Sequence, residues 1–456
     1  MVFGLKVQRK AEQEKRSPQE VVDEYATQFR ELAEVWDISN DDFIRTTEKR
    51  HRETVEAFWK KVDRNGHIYK KIYEGWYCVP CESFKTEKDL VDGKCPDHNV
   101  VPEHHREENY FFKLTAFEEK LKELFSAQTD FVVPDDKRNE MVQILESGLE
   151  DVSISRSTKT LAWGIPVPGD ASQVMYVWFD ALVNYISAIG YGHKKENAMR
   201  AYWPCDIHFV GKEINRFHSL LWPAMLLAAG VEPPRQVAVH GWITVEGKKM
   251  SKTVGNVIDP FDLVERYGVD PVRYFMGREM PLYRDGDFSY ARLEERYNND
   301  LANEFGNLLH RTASMTERYA DGLVPPVHEF DVREYWTGYR AAMESLRFDE
   351  ALHEAWRVVR ALNKHIDDTE PWKLAKIDSD AVARVLYVLL EGLRHVAWML
   401  LPFMPTTAMV LFERLGTSFM AQAQMSLSDA SKWGGLKSGG KVQTGEPLFP
   451  RIEVKH

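Results

Sequence analysis

The sequence predicts an α/β protein in three parts: a parallel sheet, a cysteine knuckle inserted ahead of its second half, and a helical C-terminal region. Three observations predict this. Apolar runs at 207–210 and 236–239 flank an apolar helical stretch, the pattern of a right-handed β-α-β unit. Cys78 and Cys81 form a C-x-x-C pair, and Cys95 and His98 form a C-x-x-H pair downstream. Beyond Pro260 the apolar spacing is helical almost throughout. A chain of 456 residues exceeds one ordinary domain, and 44% hydrophobic and 12% aromatic residues suffice for packed cores. No apolar run reaches the roughly eighteen residues of a transmembrane helix. The start, MVFGLKVQRKAEQEKR, lacks the apolar centre of a signal peptide, so a soluble cytoplasmic protein with no membrane partner is expected. A net charge of −11 argues against a generic nucleic-acid binder but allows a local basic face.

Taken in order, Gly4 to Gln8 lead in without a strand. Ser17-Pro18-Gln19-Glu20 then reads as a capping box. Val21, Val22, Tyr25, Phe29, Leu32 and Trp36 follow at helical spacing, and 48–62 reads as a second helix ended by Gly66. The two knuckles suit a closed tetrahedral Cys3His zinc site. A redox dithiol leaves the second knuckle unexplained, and a disulfide is disfavoured in a reducing compartment. His104 and His105 read as exposed loop residues, and Cys205 as a small hydrophobe.

A helix from Ala116, a turn at Pro134 and short strand-like pieces over 151–168 come next. Residues 174–178 read as a buried strand running into Phe179-Asp180-Ala181. The strand at 207–210 passes into Gly211-Lys212-Glu213 and a helix that Gly230 stops. On that helix Ile214, His218 and Trp222 share one face, which by spacing alone is a buried face with one satisfied histidine. After the strand at 236–239 come His240-Gly241, then Lys248, Lys249, Ser251 and Lys252 on a loop between Gly247 and Gly255. Crowded lysines repel, so an anion placed among them would stabilise the loop; the alternative is a solvated hairpin tip. Ligands of such sheets gather beyond the carboxyl ends of the strands, where Gly211 and the lysines lie.

In the C-terminal part, Asp270-Pro271 reads as the cap and start of a helix, and 290–319 as a long helix burying Leu301, Phe305, Leu308 and Leu309. Helices follow at 332–346, 349–366, 380–399 and 405–415, and the Gly-rich stretch 434–445 reads as a loose excursion. Trp372, after a proline, reads as a hydrophobic anchor.

The order strand, glycine, Lys249-Met250-Ser251-Lys252-Thr253, Gly255-Asn256 resembles the KMSKS loop of class I aminoacyl-tRNA synthetases, with Thr253 for the final serine. The runs VWFDALVNY, FVGKEINRFHSLLWPAMLLAAG and HGWITVEGKKMSK, with the zinc knuckles, resemble methionyl-tRNA synthetases over nearly the whole chain. The resemblance implies a parallel Rossmann-type nucleotide-binding sheet, an inserted zinc-knuckle domain and an α-helical anticodon-binding bundle. It implies ATP-dependent activation of methionine, with Mg2+, to methionyl-adenylate, and transfer to tRNA(Met). Lys249 and Lys252 would carry the catalytic charge, and Gly211, Glu213, His240, Gly241, Met250 and Ser251 would complete the ATP site. Glu213 stands where the family often has aspartate. Trp178, Ala181, Tyr185, Ile214, His218 and Trp222 would wall the methionine pocket. Asn307, Arg311 and Trp372 would hold the CAU anticodon, and Cys78, Cys81, Cys95 and His98 a structural Zn2+.

The implied division is 1–65 for the first part of the catalytic sheet domain, 66–172 for the knuckle domain, 173–240 for the second part, 241–292 for the KMSKS and stem-contact region, and 293–456 for the bundle. The family also begins with a strand, a HIGH-type motif and a helix, while here Gly4 matches the glycine of a later D-E-H-G word and no His-x-Gly-His occurs. The expected sheet is therefore N-terminally truncated, with an uncovered edge. A lysine loop without the opposing half-site would not position ATP for in-line attack. The readings left open are a truncated product, a split enzyme completed in trans by a HIGH-bearing fragment, and a non-catalytic tRNA-binding paralogue. Another class I synthetase, for cysteine, leucine or valine, fits the pocket and anticodon residues less well.

Overall fold

The structure, a computed structural model, describes residues 3–80, 83–85, 89–96, 99–192, 197–250 and 255–453. The chain forms two compact units, one of Met1–Glu34 with Ile38–His240 and one of Val35–Asp37 with Gly241–His456. Among the described residues, no helix is long and apolar enough to cross a membrane.

The first unit is built on a parallel sheet in which Gln236–His240 lies between Val132–Val133 and Ile207–Gly211. The expected β-α-β unit is present, and its register sets His240 beside Gly211. The two-residue strand before Pro134 had no readable pattern of its own. Its partners make it a strand, since Phe131, Val132, Val237 and Ala238 are all fully buried. The crossover is less regular than a single helix. A 3-10 turn Lys212–Ile214 leads to a π-helical segment Phe217–Leu221 and an α-helix Trp222–Ala229, which ends on Gly230 at φ 77°.

Residues 174–178 are not one strand. The strand is Asp170–Met175, antiparallel to Ser155–Ser157 and Pro166–Val167 in a separate sheet, and Trp178 lies in a helix, Val177–Leu182. A short run that is apolar on every side reads the same in a buried strand and a buried helix. His104 and His105 lie on a long strand rather than a loop, because Ile68–Cys78 pairs antiparallel with Glu103–Phe112. That hairpin escaped the sequence reading because charges occupy most of EHHREENYFF, and only its last residues are well buried.

A helix Leu5–Glu14, unforeseen, precedes Pro18–Val35, whose capping box is made: Glu20 N–H donates to Ser17 Oγ at 3.2 Å, and Ser17 N–H to the Glu20 carboxylate at 2.8 Å. Lys49–Arg64 packs Val55, Phe58, Trp59 and Val62 into the core. Asp135–Glu146, also missed, buries Met141 and Leu145.

In the second unit, Ile243–Val245 pairs with Lys248–Lys249 and, in parallel, with Gly286–Phe288. Asp270 does not cap its helix. It lies in the first turn of Val269–Glu279, buried, and accepts the Thr407 N–H at 2.5 Å. The long helix is present as Tyr290–Arg296, a π-helical segment Tyr297–Gly306 and Asn307–Tyr319, with Leu301, Phe305, Leu308 and Leu309 buried. Arg333–Glu344, Phe348–Thr369, Ser379–Leu400 and Pro405–Arg414 complete the bundle around Trp356.

The stretch 434–445 is not a loose excursion. The N–H groups of Gly434, Gly435 and Leu436 donate to the buried Glu391 carboxylate at 2.9, 2.8 and 2.8 Å, and Arg394 Nη2 donates to it at 2.7 Å. Val442 N–H then donates to the Gly322 carbonyl at 2.8 Å. The glycines serve close backbone approach, since a side chain at Gly435 would overlap Arg394. Burial works to raise the Glu391 pKa, but hydrogen bonds from His395 and Arg394 outweigh it and hold the carboxyl at about 2, below its usual 4.5. A depressed acid stabilises the fold above its unfolded pKa and loses that contribution as pH falls. Acid titration of unfolding in this unit is therefore expected to show a loss on the order of 3 kcal/mol between pH 4.5 and about 2 that Glu391→Gln lacks. Equal acid sensitivity in both proteins would refute this.

Candidate active site

Beyond the carboxyl ends of the two neighbouring parallel strands, three expected residues meet. An ideal Cβ on Gly211 would stand 3.2 Å from Glu213 Oε2 and 3.6 Å from His240 Cε1. Glycine thus keeps open a point flanked by a carboxylate and an imidazole, where such sheets bind ligands.

The helices Val177–Leu182 and Asn184–Ala188 carry Trp178, Ala181 and Tyr185, and the crossover carries Ile214, His218 and Trp222. His218 Nδ1 lies 2.9 Å from the Ile214 carbonyl and must donate to it, so its Nε2 accepts the Tyr185 hydroxyl at 2.8 Å. The Trp178 and Tyr185 rings each meet His218 edge-on, at 6.2 and 5.7 Å, and Tyr185 lies 6.2 Å from Trp222. Burial pushes the His218 imidazole down to about 4 and the Tyr185 phenol up to about 12, so the cluster is uncharged at neutral pH. Such a wall suits an apolar, polarizable side chain.

Several partners here were missed from sequence. Phe217 stacks on Trp178 with centroids 4.0 Å apart, and the His208 ring lies 4.0 Å from Tyr185. Cys205, expected as a plain hydrophobe, has its sulfur 3.5 Å from His208 Nδ1. His51, fully buried, holds Asp180 at 2.5 Å and Ser187 at 3.0 Å, fastening the Trp178 helix to Lys49–Arg64. Only the inward position of His208 in an alternating strand could have flagged any of them.

In the second unit the lysines begin on the return strand of a hairpin rather than on a loop. The turn residues Glu246 and Gly247 have φ 51° and 72°, as a tight two-residue hairpin requires. Asp287 braces it, accepting from Thr244 Oγ1 and from Gly247 N–H, both at 2.7 Å. Lys248 is exposed, Lys249 is described by its backbone alone, Met250 follows, and Ser251 and Lys252 lie outside the described residues. A Cβ at Gly241 would overlap the Arg284 carbonyl, which fixes glycine there.

Asn307 and Arg311 stand one turn apart at the start of Asn307–Tyr319, and Arg311 pairs with Asp367 at 3.4 Å near the end of Phe348–Thr369. The short helix Pro371–Leu374 leaves Trp372 41% exposed, so it is not a buried anchor. Cys78 ends its strand and Cys95 follows the turn 91–94; both are buried, while Cys81 and His98 lie outside the described residues. Among the described residues, no three metal-ligating side chains come together.

Residues 2–101 and 98–313 match the family model of class I tRNA synthetases (M), and 328–456 match that of the anticodon binding domain of methionyl tRNA ligase. The chain is 47% identical to the methionine–tRNA ligase of Caldanaerobacter subterraneus subsp. tengcongensis, over 99% of its own length and 72% of that protein's. It is 45% identical to the methionine–tRNA ligase of Thermotoga maritima over 99% and 73%. Its structure is similar to Mycobacterium tuberculosis methionyl-tRNA synthetase in complex with methionyl-adenylate, with a TM-score of 0.92 and 36% identity over 98% of this chain and 90% of that one.

Replacing Asp180 by alanine would strip His51 of one of its two buried partners, leaving Ser187. The expected cost is about 1–3 kcal/mol, read as a lower urea midpoint for the full chain. An unchanged midpoint would show that the pair fastens nothing.

Proposed function

The chain belongs to the methionyl-tRNA synthetase family of class I tRNA synthetases, and from that premise we propose that it activates methionine with ATP and passes it to tRNA(Met). The observation that carries the reading is the uncharged wall that Trp178 and Tyr185, on the two short helices, form with His218 and Trp222, on the crossover that starts at Gly211 and Glu213. A thioether packs well on such rings, while a charged side chain would be desolvated with no partner. Ala181 and Ile214 would complete the wall.

In the proposed reaction a methionine carboxylate oxygen bonds to the α-phosphorus of ATP, and pyrophosphate leaves with the electrons of the broken P–O bond. Glu213 would accept the ribose hydroxyls beside Gly211 and His240, and Gly241, Met250 and Ser251 would lie along the nucleotide. Lys249 and Lys252 would stabilise the charge that grows on the pyrophosphate, and Mg2+ would neutralise the phosphates. A ribose hydroxyl of the terminal adenosine of tRNA(Met) would then attack the methionyl carbonyl of the adenylate, forming an ester as the mixed-anhydride C–O bond breaks and AMP leaves with its electrons. Asn307 and Arg311 would pair with anticodon base edges and the exposed Trp372 would stack on a base, support for which is their surface position. Cys78, Cys81, Cys95 and His98 would hold a structural Zn2+, supported by two buried thiols carried on a strand end and a turn. The work of such a protein lies in the cytoplasm.

The test pairs methionine binding by calorimetry with methionine-dependent exchange of pyrophosphate into ATP. Lys249→Ala is expected to slow exchange on the order of a hundredfold while leaving methionine affinity unchanged. Preference for another amino acid, or a chain that binds none, overturns the reading. Metal analysis is expected to find about one zinc per chain, lost in Cys95→Ser; a zinc-free parent protein excludes the knuckle.

A further inference from the structure

His208 is one residue that the reaction above does not use, yet it touches the methionine wall from behind at two places. It is buried on the strand Ile207–Gly211, on the side of the sheet opposite the exposed Phe209. Its Nε2 accepts the Trp222 indole N–H at 3.2 Å. Its ring lies 4.0 Å from that of Tyr185, tilted by 33°. Because Nε2 accepts from the Trp222 indole, a neutral His208 carries its proton on Nδ1, and the Cys205 sulfur lies beside the ring at 3.5 Å from Nδ1 and 3.7 Å from Nε2. Trp203 and His218 close the surroundings at 6.1 and 6.2 Å.

We propose that His208 is a positioning residue for methionine specificity: its Nδ1–H tautomer holds the Trp222 indole in place and backs the Tyr185 ring against which the substrate side chain packs. The inference rests on the methionine pocket proposed above. Trp222 is fully buried and its indole can only donate. Without an acceptor the N–H is left unpaired, and the ring is free to turn toward another partner at the expense of the pocket wall. A protonated His208 would both lose that acceptor and set a cation against the pocket. Burial opposes this, pushing the imidazole down to about 3, so the tautomer is maintained throughout the neutral range.

The experiment measures methionine affinity by calorimetry for the full chain and for His208→Leu and His208→Gln, beside ATP affinity and thermal unfolding. Leucine removes the acceptor, whereas glutamine presents an amide oxygen near the Nε2 position. His208→Leu is expected to weaken methionine binding on the order of tenfold with ATP affinity unchanged, the scale set by one unpaired buried donor, and His208→Gln to recover most of it. Long-range proton–nitrogen spectroscopy is expected to show His208 in its Nδ1–H form. An Nε2–H form, or methionine binding by His208→Leu as tight as the parent's, overturns the inference. So does a loss that follows the unfolding temperature equally in both variants, which marks a merely structural residue. Failure of the parent chain to bind methionine would instead overturn the functional reading.

Discussion

The parallel register between Ile207–Gly211 and Gln236–His240 is the constraint on which the first unit depends. Strand side chains alternate, so one register settles two things together. It puts Gly211 and His240 side by side at the strand ends, and it turns His208 and Val210 into the core while Phe209 faces outward. A right-handed crossover must then return over the sheet, which lays Ile214, His218 and Trp222 along the inward helix face. A slip by one residue would expose His208 and turn Phe209 into its place.

Each unit also secures an irregular segment with a buried polar group rather than with apolar packing alone. In the first, His51 reaches Asp180 and Ser187 on the two short helices that carry Trp178 and Tyr185. In the second, Glu391 gathers three backbone N–H groups and Arg394, and Trp336 donates to His395 Nδ1 at 2.8 Å. Satisfied polar clusters of this kind select one arrangement, because every competing arrangement leaves a donor or a charge unpaired.

What the sequence made legible follows from how strongly each element repeats. The long bundle helices, the capping box and the two apolar strands carried clear periods, and the structure has them close to the expected bounds. The run before Trp178 was apolar on all sides, and no period distinguished strand from helix. The strand Glu103–Phe112 hid behind its charges. The glycines of 434–440 looked like slack because composition cannot distinguish a flexible glycine from one that lets backbone approach a buried arginine. Within the site, residue types at motif spacing were readable. The second ring of contacts, His208, Phe217 and His51, was not, since those contacts exist only after distant elements meet.

The π-helical segments Phe217–Leu221 and Tyr297–Gly306 interrupt helices that would otherwise be regular. A π turn holds an extra residue, and π turns are frequent at functional sites although they are rare elsewhere. Removing one residue from the first would restore a regular α-helix, in which spacings of three and four still keep Ile214, His218 and Trp222 near one face while the backbone no longer bulges around His218. Evolution or a designer seeking a more regular helix would therefore find one within a single codon's deletion, at the turn that holds the His218 contacts to Tyr185 and the Ile214 carbonyl. Regularity of the backbone and the placement of one imidazole compete at that single turn.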